Sequence, residues 1–172
     1  MRIVGGRWAG RHLTSPPDRR VRPTAEHVRD GWLGLLEPYL KGARVLDLFA
    51  GTGALGLEAM SRGAKSCDFV ETRPASLHAL KANVAALHVR EKTRIFKKDA
   101  LPFAAGLPEG AYDLAFADPP YDSRQLDRLL ESWRATPFAA VITVEHAHDH
   151  ALPLAGETYD FDETTSITIF RA

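Results

Sequence analysis

A single cysteine, Cys67, stands in the whole 172-residue chain. An internal disulfide needs two and a thiolate metal cluster needs more, so the sequence excludes both. Long apolar runs are also missing, and no stretch approaches the roughly 18 residues of a membrane-spanning helix. The opening segment, RIVGGRWAGRHL, has no apolar core of the kind a secretory signal carries. Neither sign of charge predominates, since 22 basic residues offset 22 acidic ones. Repeats and low-complexity tracts are absent. What is present is an ordinary globular composition, 45% hydrophobic and 26% charged, long enough for one domain with a proper core. A cytoplasmic protein without membrane contact is the expectation.

The zero net charge hides an asymmetry. Residues 1–30 hold seven arginines against Asp18, Glu26 and Asp30, a net +4. The remainder has 15 basic and 19 acidic residues, a net −4. A basic arm on an acidic body suggests an anionic partner, and arginine favours forked phosphate contacts or stacking.

In chain order, residues 2–13 carry β-formers on both sides of Gly5-Gly6, which predicts a hairpin of two short strands. A proline-rich connector follows. Thr24 offers a helix N-cap for a segment with Val28, Trp32, Leu35 and Leu36 on one face. From Ala43 onward, strand and helix patterns alternate through five strands, ending at AAVITVEH. The tail then changes to two period-two segments, ETYDFDE and TSITIFRA, with no room for a crossover helix between them. The expected fold is α/β: a doubly wound, mostly parallel, seven-stranded Rossmann-like sheet with an antiparallel C-terminal strand and an N-terminal β-hairpin extension. Residues 1–22 form the basic arm and linker, and residues 23–172 the main domain.

Asp118-Pro119-Pro120-Tyr121 follows the apolar run YDLAFA. Two prolines cannot continue a sheet ladder, so the chain leaves the strand there in a stiff shape. That edge of an open α/β sheet is where ligands bind. A carboxylate and backbone carbonyls suit an –NH2 group, and the tyrosine ring suits a flat heterocycle. The expected occupant is a planar amine on a nucleobase.

The segment DLFAGTGALGLE places Gly51, Gly53 and Gly56 between a strand and a helix, with Glu71 twenty residues after Gly51. This spacing suits a nicotinamide dinucleotide and S-adenosylmethionine alike, and it also fits glycines that serve only helix–sheet packing. Asp47, four residues before the first glycine, favours the second reading. A carboxylate there would repel a pyrophosphate but accept from an ammonium. Asp99, after the third strand, is either an adenine contact or a helix N-cap.

These residues together resemble a Rossmann-fold, S-adenosylmethionine-dependent methyltransferase. The segments RIVGGRWAGRHL, VRPTAEHVRDGWLGLL, LDLFAGTGALGLEAMSRGA, FVET, DPPY and ITVEH, in this order, resemble the RsmD-type 16S rRNA (guanine-N2)-methyltransferase family. The resemblance implies methyl transfer from S-adenosylmethionine to the exocyclic N2 amine of a guanine in small-subunit rRNA. The RNA would be met in an assembling or complete 30S subunit, by a monomer. It implies a catalytic set of Asp118, Pro119 and Tyr121. The implied cofactor-binding set is Asp47, Phe49, Gly51, Gly53, Glu71, Asp99, Ala100 and Asp118. The implied RNA-binding set is Arg2, Arg7, Trp8, Arg11, Arg22, Thr24 and Arg29. The family often has a second acid two residues after the Glu71 position, where this chain has Arg73 followed by Pro74.

Two other functions fit parts of the pattern. A DNA adenine or cytosine amino methyltransferase shares the Asp-Pro-Pro-Tyr motif, but 172 residues leave little room for a recognition domain. A non-catalytic RNA-binding assembly factor would have no reason to keep Asp47, the glycine loop and Asp-Pro-Pro-Tyr together. The run His146-Ala147-His148-Asp149-His150 has no accompanying ligand cluster and reads as a solvated loop, not a metal site. Trp8 either stacks on a base or pins the hairpin to the body, and Trp32 and Trp133 read as core.

Overall fold

The computed structural model describes residues 1–17, 23–121 and 124–172. Seven strands form one sheet in the order β3-β2-β1-β4-β5-β7-β6. They are β1 (Arg44–Leu48), β2 (Ser66–Val70), β3 (Thr93–Phe96), β4 (Tyr112–Ala117), β5 (Ala139–Ala147), β6 (Glu157–Asp160) and β7 (Thr165–Arg171). The first five pair in parallel, and β7 runs antiparallel to both β5 and β6. The helices are α1 (Glu26–Leu35), α2 (Glu37–Leu40), α3 (Ala54–Ser61), α4 (Pro74–Ala86), α5 (Ala100–Ala105) and α6 (Gln125–Ala135). No helix among the described residues is long and apolar enough to cross a membrane.

The inner strands are buried on both faces, which is why they read as continuous apolar runs. Strand periodicity then sorts their side chains into two cores. Val45, Phe69, Leu114, Phe116 and Val141 face α1, α3 and α4 together with Trp32, Leu57 and Leu80. Leu46, Leu48, Ala115, Ala117, Ile142 and Val144 face α5 and α6 with Leu129, Leu130 and Trp133. The same alternation carries Asp47, Asp118 and Glu145 to the α1–α3–α4 side of the sheet, two residues beyond Val45, Phe116 and Thr143. Trp32 locks this side. Its indole N–H donates to the Thr143 hydroxyl at 2.7 Å, and its ring meets Phe116 edge-on at 5.6 Å.

Several sequence expectations are corrected. The N-terminal segment is not a pair of formed strands. It has one antiparallel bridge, Arg2 to His12, flanked by backbone bonds from Ile3 to Arg11 and from Leu13 to Met1, and a 3₁₀ turn at Gly6–Trp8. Ile3 and Leu13 are buried in the main core, so the segment lies docked on the body. Thr24 does not cap α1: the N-cap position is Ala25, and no side chain bonds there. Leu33 is fully buried with Val28, Trp32 and Leu36, whereas Leu35 packs only partly buried against the same core. The histidine run is not all loop. His146 lies within β5, is 5% exposed and bonds the Thr168 hydroxyl at 2.7 Å.

Candidate active site

β1 and β4 are hydrogen-bonded neighbours, and strand order reverses at this pair. Leu48 pairs with Ala117, so the chain leaves both strands side by side at their carboxyl ends. A switch point of this kind opens the crevice in which doubly wound sheets bind ligands.

From β1 comes the glycine loop. Phe49 is held at φ 58°, an uncommon conformation for a bulky residue and one that tends to persist at functional sites. The three glycines have different jobs. A Cβ on Gly56 would lie 2.5 Å from Cys67 Sγ and 2.6 Å from a ring carbon of Phe69, so this glycine lets α3 sit on the sheet. One on Gly53, at φ 84°, would strike Leu80 at 2.4 Å. One on Gly51, at φ 57°, would meet nothing within 4 Å. Packing alone therefore accounts for two of the three, and the first faces open space.

Two carboxylates hold the loop. Asp47 is 1% exposed, and its Oδ2 accepts the Gly56 N–H at 3.0 Å at the start of α3. Burial, with the charge of Glu71 adding to it, pushes its carboxyl up to about 8, against the pull of the Gly56 bond. Glu71 Oε1 accepts from Gly51 N at 2.9 Å, and Oε2 from Thr72 N and Arg73 N at 2.7 and 2.8 Å. Carboxylate oxygens carry two lone pairs each, which leaves Oε1 able to accept again. Asp99 is exposed and caps α5 through a long 3.4 Å bond from Leu101 N–H. Ala100 is 5% exposed and packs its methyl into the second core, so only its backbone can face a ligand.

From β4 comes Asp118-Pro119-Pro120-Tyr121. Asp118 Oδ2 accepts from the Thr24 hydroxyl at 3.0 Å, and Glu145 Oε2 lies 3.3 Å from the same hydroxyl. Glu145 Oε1 accepts from Tyr121 OH at 2.8 Å, and that phenol also lies 3.3 Å from Thr165 Oγ1. Burial first, then the Glu145 charge, raises the Asp118 carboxyl well above the usual carboxylate range, and Asp47 adds to this. Tyr121 is 38% exposed, so its hydroxyl is anchored while its ring stays open to solvent. Buried carboxylates in such number suit a cationic or amine-bearing ligand, whose charge or donors offset their desolvation. Glu145 was absent from the sequence-based site, although a charged residue near the end of an otherwise apolar strand is a readable signal.

The residues expected on RNA divide. Arg2, Arg7 and Arg11 are exposed. Arg2 reaches Glu26 at 3.3 Å, the Arg7 guanidinium lies 4.3 Å above the Trp8 ring, and Arg11 donates to Ala86 O at 3.0 Å. Trp8 is half-buried, and its backbone N–H bonds Ser61 Oγ, pinning the turn to α3. Arg29 cannot hold phosphate. It is fully buried, pairs with Glu58 at 3.2 Å, donates to the Arg2 carbonyl, and is sealed in because Glu58 also accepts from Val4 N and Gly5 N. Thr24 sits at the Asp118 notch. Arg22 lies outside the described residues.

Comparison with known proteins places these features in a family. Residues 1–165 match the family described as Conserved hypothetical protein 95. The chain is 38% identical over 160 residues to Ribosomal RNA small subunit methyltransferase D of Escherichia coli strain K12, covering 89% of this chain and 78% of that protein. It is 33% identical over 158 residues to the Bacillus subtilis protein named Putative rRNA methyltransferase YlbH, covering 89% and 86%. The solved structure titled Putative methyltransferase yhhF from Escherichia coli superposes with a TM-score of 0.85 at 28% identity, covering 99% of this chain and 97% of that one.

Proposed function

Because this chain belongs to the Conserved hypothetical protein 95 family, we propose that it transfers a methyl group from S-adenosylmethionine to the N2 amine of a guanine in small-subunit rRNA. Two relatives matched across most of the chain are named as rRNA methyltransferases. One observation carries the reading: the open Gly51 turn and the Asp118 notch leave adjacent strands at the same edge of the sheet.

The residues present fit the cofactor. Gly51 faces open space, Glu71 has accepting capacity for ribose hydroxyls, and Asp47 is a buried carboxyl beneath the loop that a cationic ligand would draw into its charged form. When bound, S-adenosylmethionine would supply a methyl group on positively charged sulfur, with the C–S electron pair left on that sulfur. The protein supplies alignment. Asp118 and the Pro119 carbonyl accept the two N–H groups of the guanine amine and aim its lone pair. One of those protons passes to the Asp118 carboxylate as the nitrogen is methylated. Tyr121 stacks on the base, and a base stack is worth roughly 1–3 kcal/mol, close to the cost of extruding a nucleotide. Arg2, Arg7 and Arg11 hold the RNA backbone from the exposed face of the N-terminal segment.

The substrate is 16S rRNA within an assembling or complete 30S subunit, and the protein acts as a cytoplasmic monomer. Mass spectrometry of small-subunit rRNA nucleosides from a strain lacking this chain tests the assignment. Loss of one N2-methylguanosine, restored by the wild-type chain, is expected. An unchanged nucleoside profile would refute it.

A further inference from the structure

We propose that Glu145 is a positioning residue for the methyl transfer: it acts on the target amine through Thr24 and Asp118, and on the target base through Tyr121. This rests on the reading of the site given above. Its basis is geometric. β4 and β5 are parallel neighbours with Ala117 opposite Val144, so Asp118 and Glu145 emerge next to each other, on the same side of the sheet. The Thr24 hydroxyl lies 3.0 Å from Asp118 Oδ2 and 3.3 Å from Glu145 Oε2. It has one proton to give, so two carboxylates compete for a single donor. The other Glu145 oxygen takes the Tyr121 phenol at 2.8 Å. One side chain, 8% exposed, thus meets both the Thr24 hydroxyl that bonds Asp118 and the Tyr121 phenol whose ring takes the base.

Two consequences follow for the chemistry. A second carboxylate beside Asp118 disfavours its charged form, which makes Asp118 a better acceptor for the proton that the methylated amine gives up. The Tyr121 bond fixes where the exposed ring lies, so the base is stacked at the right height over the amine notch. The titratable groups facing this pair, among the described residues, are Asp47 from β1, Tyr121 from the β4 exit, and His146 and His150, which line a small cavity with Glu145 and Tyr121. β7 contributes only the Thr165 hydroxyl next to Tyr121.

The test has one arm that needs no substrate. Carboxyl ¹³C NMR follows the Asp118 titration in the wild-type chain and in Glu145→Gln, a neutral replacement that can still accept from Tyr121. The Asp118 midpoint falls by about one pH unit or more in the variant, the size expected when a like charge within a few ångströms is removed. An unchanged midpoint overturns the proposal, whatever the substrate proves to be. The second arm measures methylation of 30S particles. Glu145→Gln lowers kcat about tenfold or more, moves the acid limb of its pH profile downward, and leaves the KM for S-adenosylmethionine within about threefold. Wild-type kcat and an unmoved limb overturn the proposal even if NMR shows coupling. Should Glu145→Gln misfold, Thr24→Val and Thr24→Ser decide. Valine lowers kcat and serine recovers it, whereas equal rates in both overturn the proposal. A wild-type chain that methylates no rRNA refutes the functional assignment separately, and the NMR arm still decides whether Glu145 acts on Asp118.

Discussion

The Thr24 hydroxyl and the Asp118 carboxylate meet at 3.0 Å across 94 residues of chain. The residue ahead of the α1 N-cap is thereby tied to the exit of the central strand, and Asp118 is oriented before any substrate arrives. Such preorganisation is what a reaction driven by alignment requires.

Asp118→Ala removes the proposed acceptor of the amine and leaves the glycine loop intact. Methyl transfer falls below detection in a single-turnover assay, while S-adenosylmethionine affinity by calorimetry stays within about tenfold. Near-normal turnover would remove Asp118 from the mechanism.

Tyr121 separates ring from hydroxyl. Tyr121→Ala loses the stacking surface and lowers kcat/KM for RNA by roughly 5- to 150-fold, from a stacking contribution of about 1–3 kcal/mol. Tyr121→Phe keeps the ring but loses the bonds to Glu145 and Thr165 that fix its place, and its activity falls between those of the wild type and Tyr121→Ala. Equal losses in both variants would mean that the ring itself does nothing.

Asp47 makes a stability prediction with a definite sign. Its folded carboxyl is pushed up to about 8 by burial, whereas an unfolded aspartate titrates near 4. The folded state therefore binds the proton more tightly, and this group costs stability progressively as pH rises from about 4 to about 8. Asp47→Asn removes that cost. Scanning calorimetry shows a Tm advantage of the variant that is small at pH 5 and grows toward pH 8, while S-adenosylmethionine binding weakens by about tenfold or more. Parallel Tm curves would contradict the buried, protonated carboxyl.

How much of this was readable in the chain differs by feature. β1 and β4 stand out because strands buried on both faces are apolar throughout, and the two prolines mark where β4 must end. Gly51, Gly53 and Gly56 were visible, but their division into one open position and two packing positions depends on Leu80 and Cys67, which arrive from other elements. Arg29 looked like a surface cation because its partner, Glu58, lies 29 residues away on a helix where the local i,i+4 partner of Glu58 is Arg62. Thr24 had the chemistry of an N-cap, and only the tertiary fold turned its hydroxyl to Asp118. Glu145 was within reach of reading, since alternation through Val141, Thr143 and Glu145 carries it to the face that bears Asp118.

Arg29 and the exposed arginines should separate cleanly. Arg29→Ala leaves buried Glu58 with Arg62 as its remaining cation and empties the space of a fully buried side chain, costing about 2 kcal/mol of stability by urea unfolding. The fraction that stays folded binds RNA normally. Arg7→Ala and Arg11→Ala leave stability nearly unchanged but weaken RNA binding, and each reduces the salt slope by about one. If Arg29→Ala lowered the salt slope, its burial would be wrong.

The most direct test uses the purified chain, labelled S-adenosylmethionine, and 30S particles from cells that lack it, with digestion and mass spectrometry of the nucleosides. Label is expected in a single N2-methylguanosine, and none with Asp118→Ala. Label in an adenine or cytosine amine, or equal label with Asp118→Ala, would contradict the assignment.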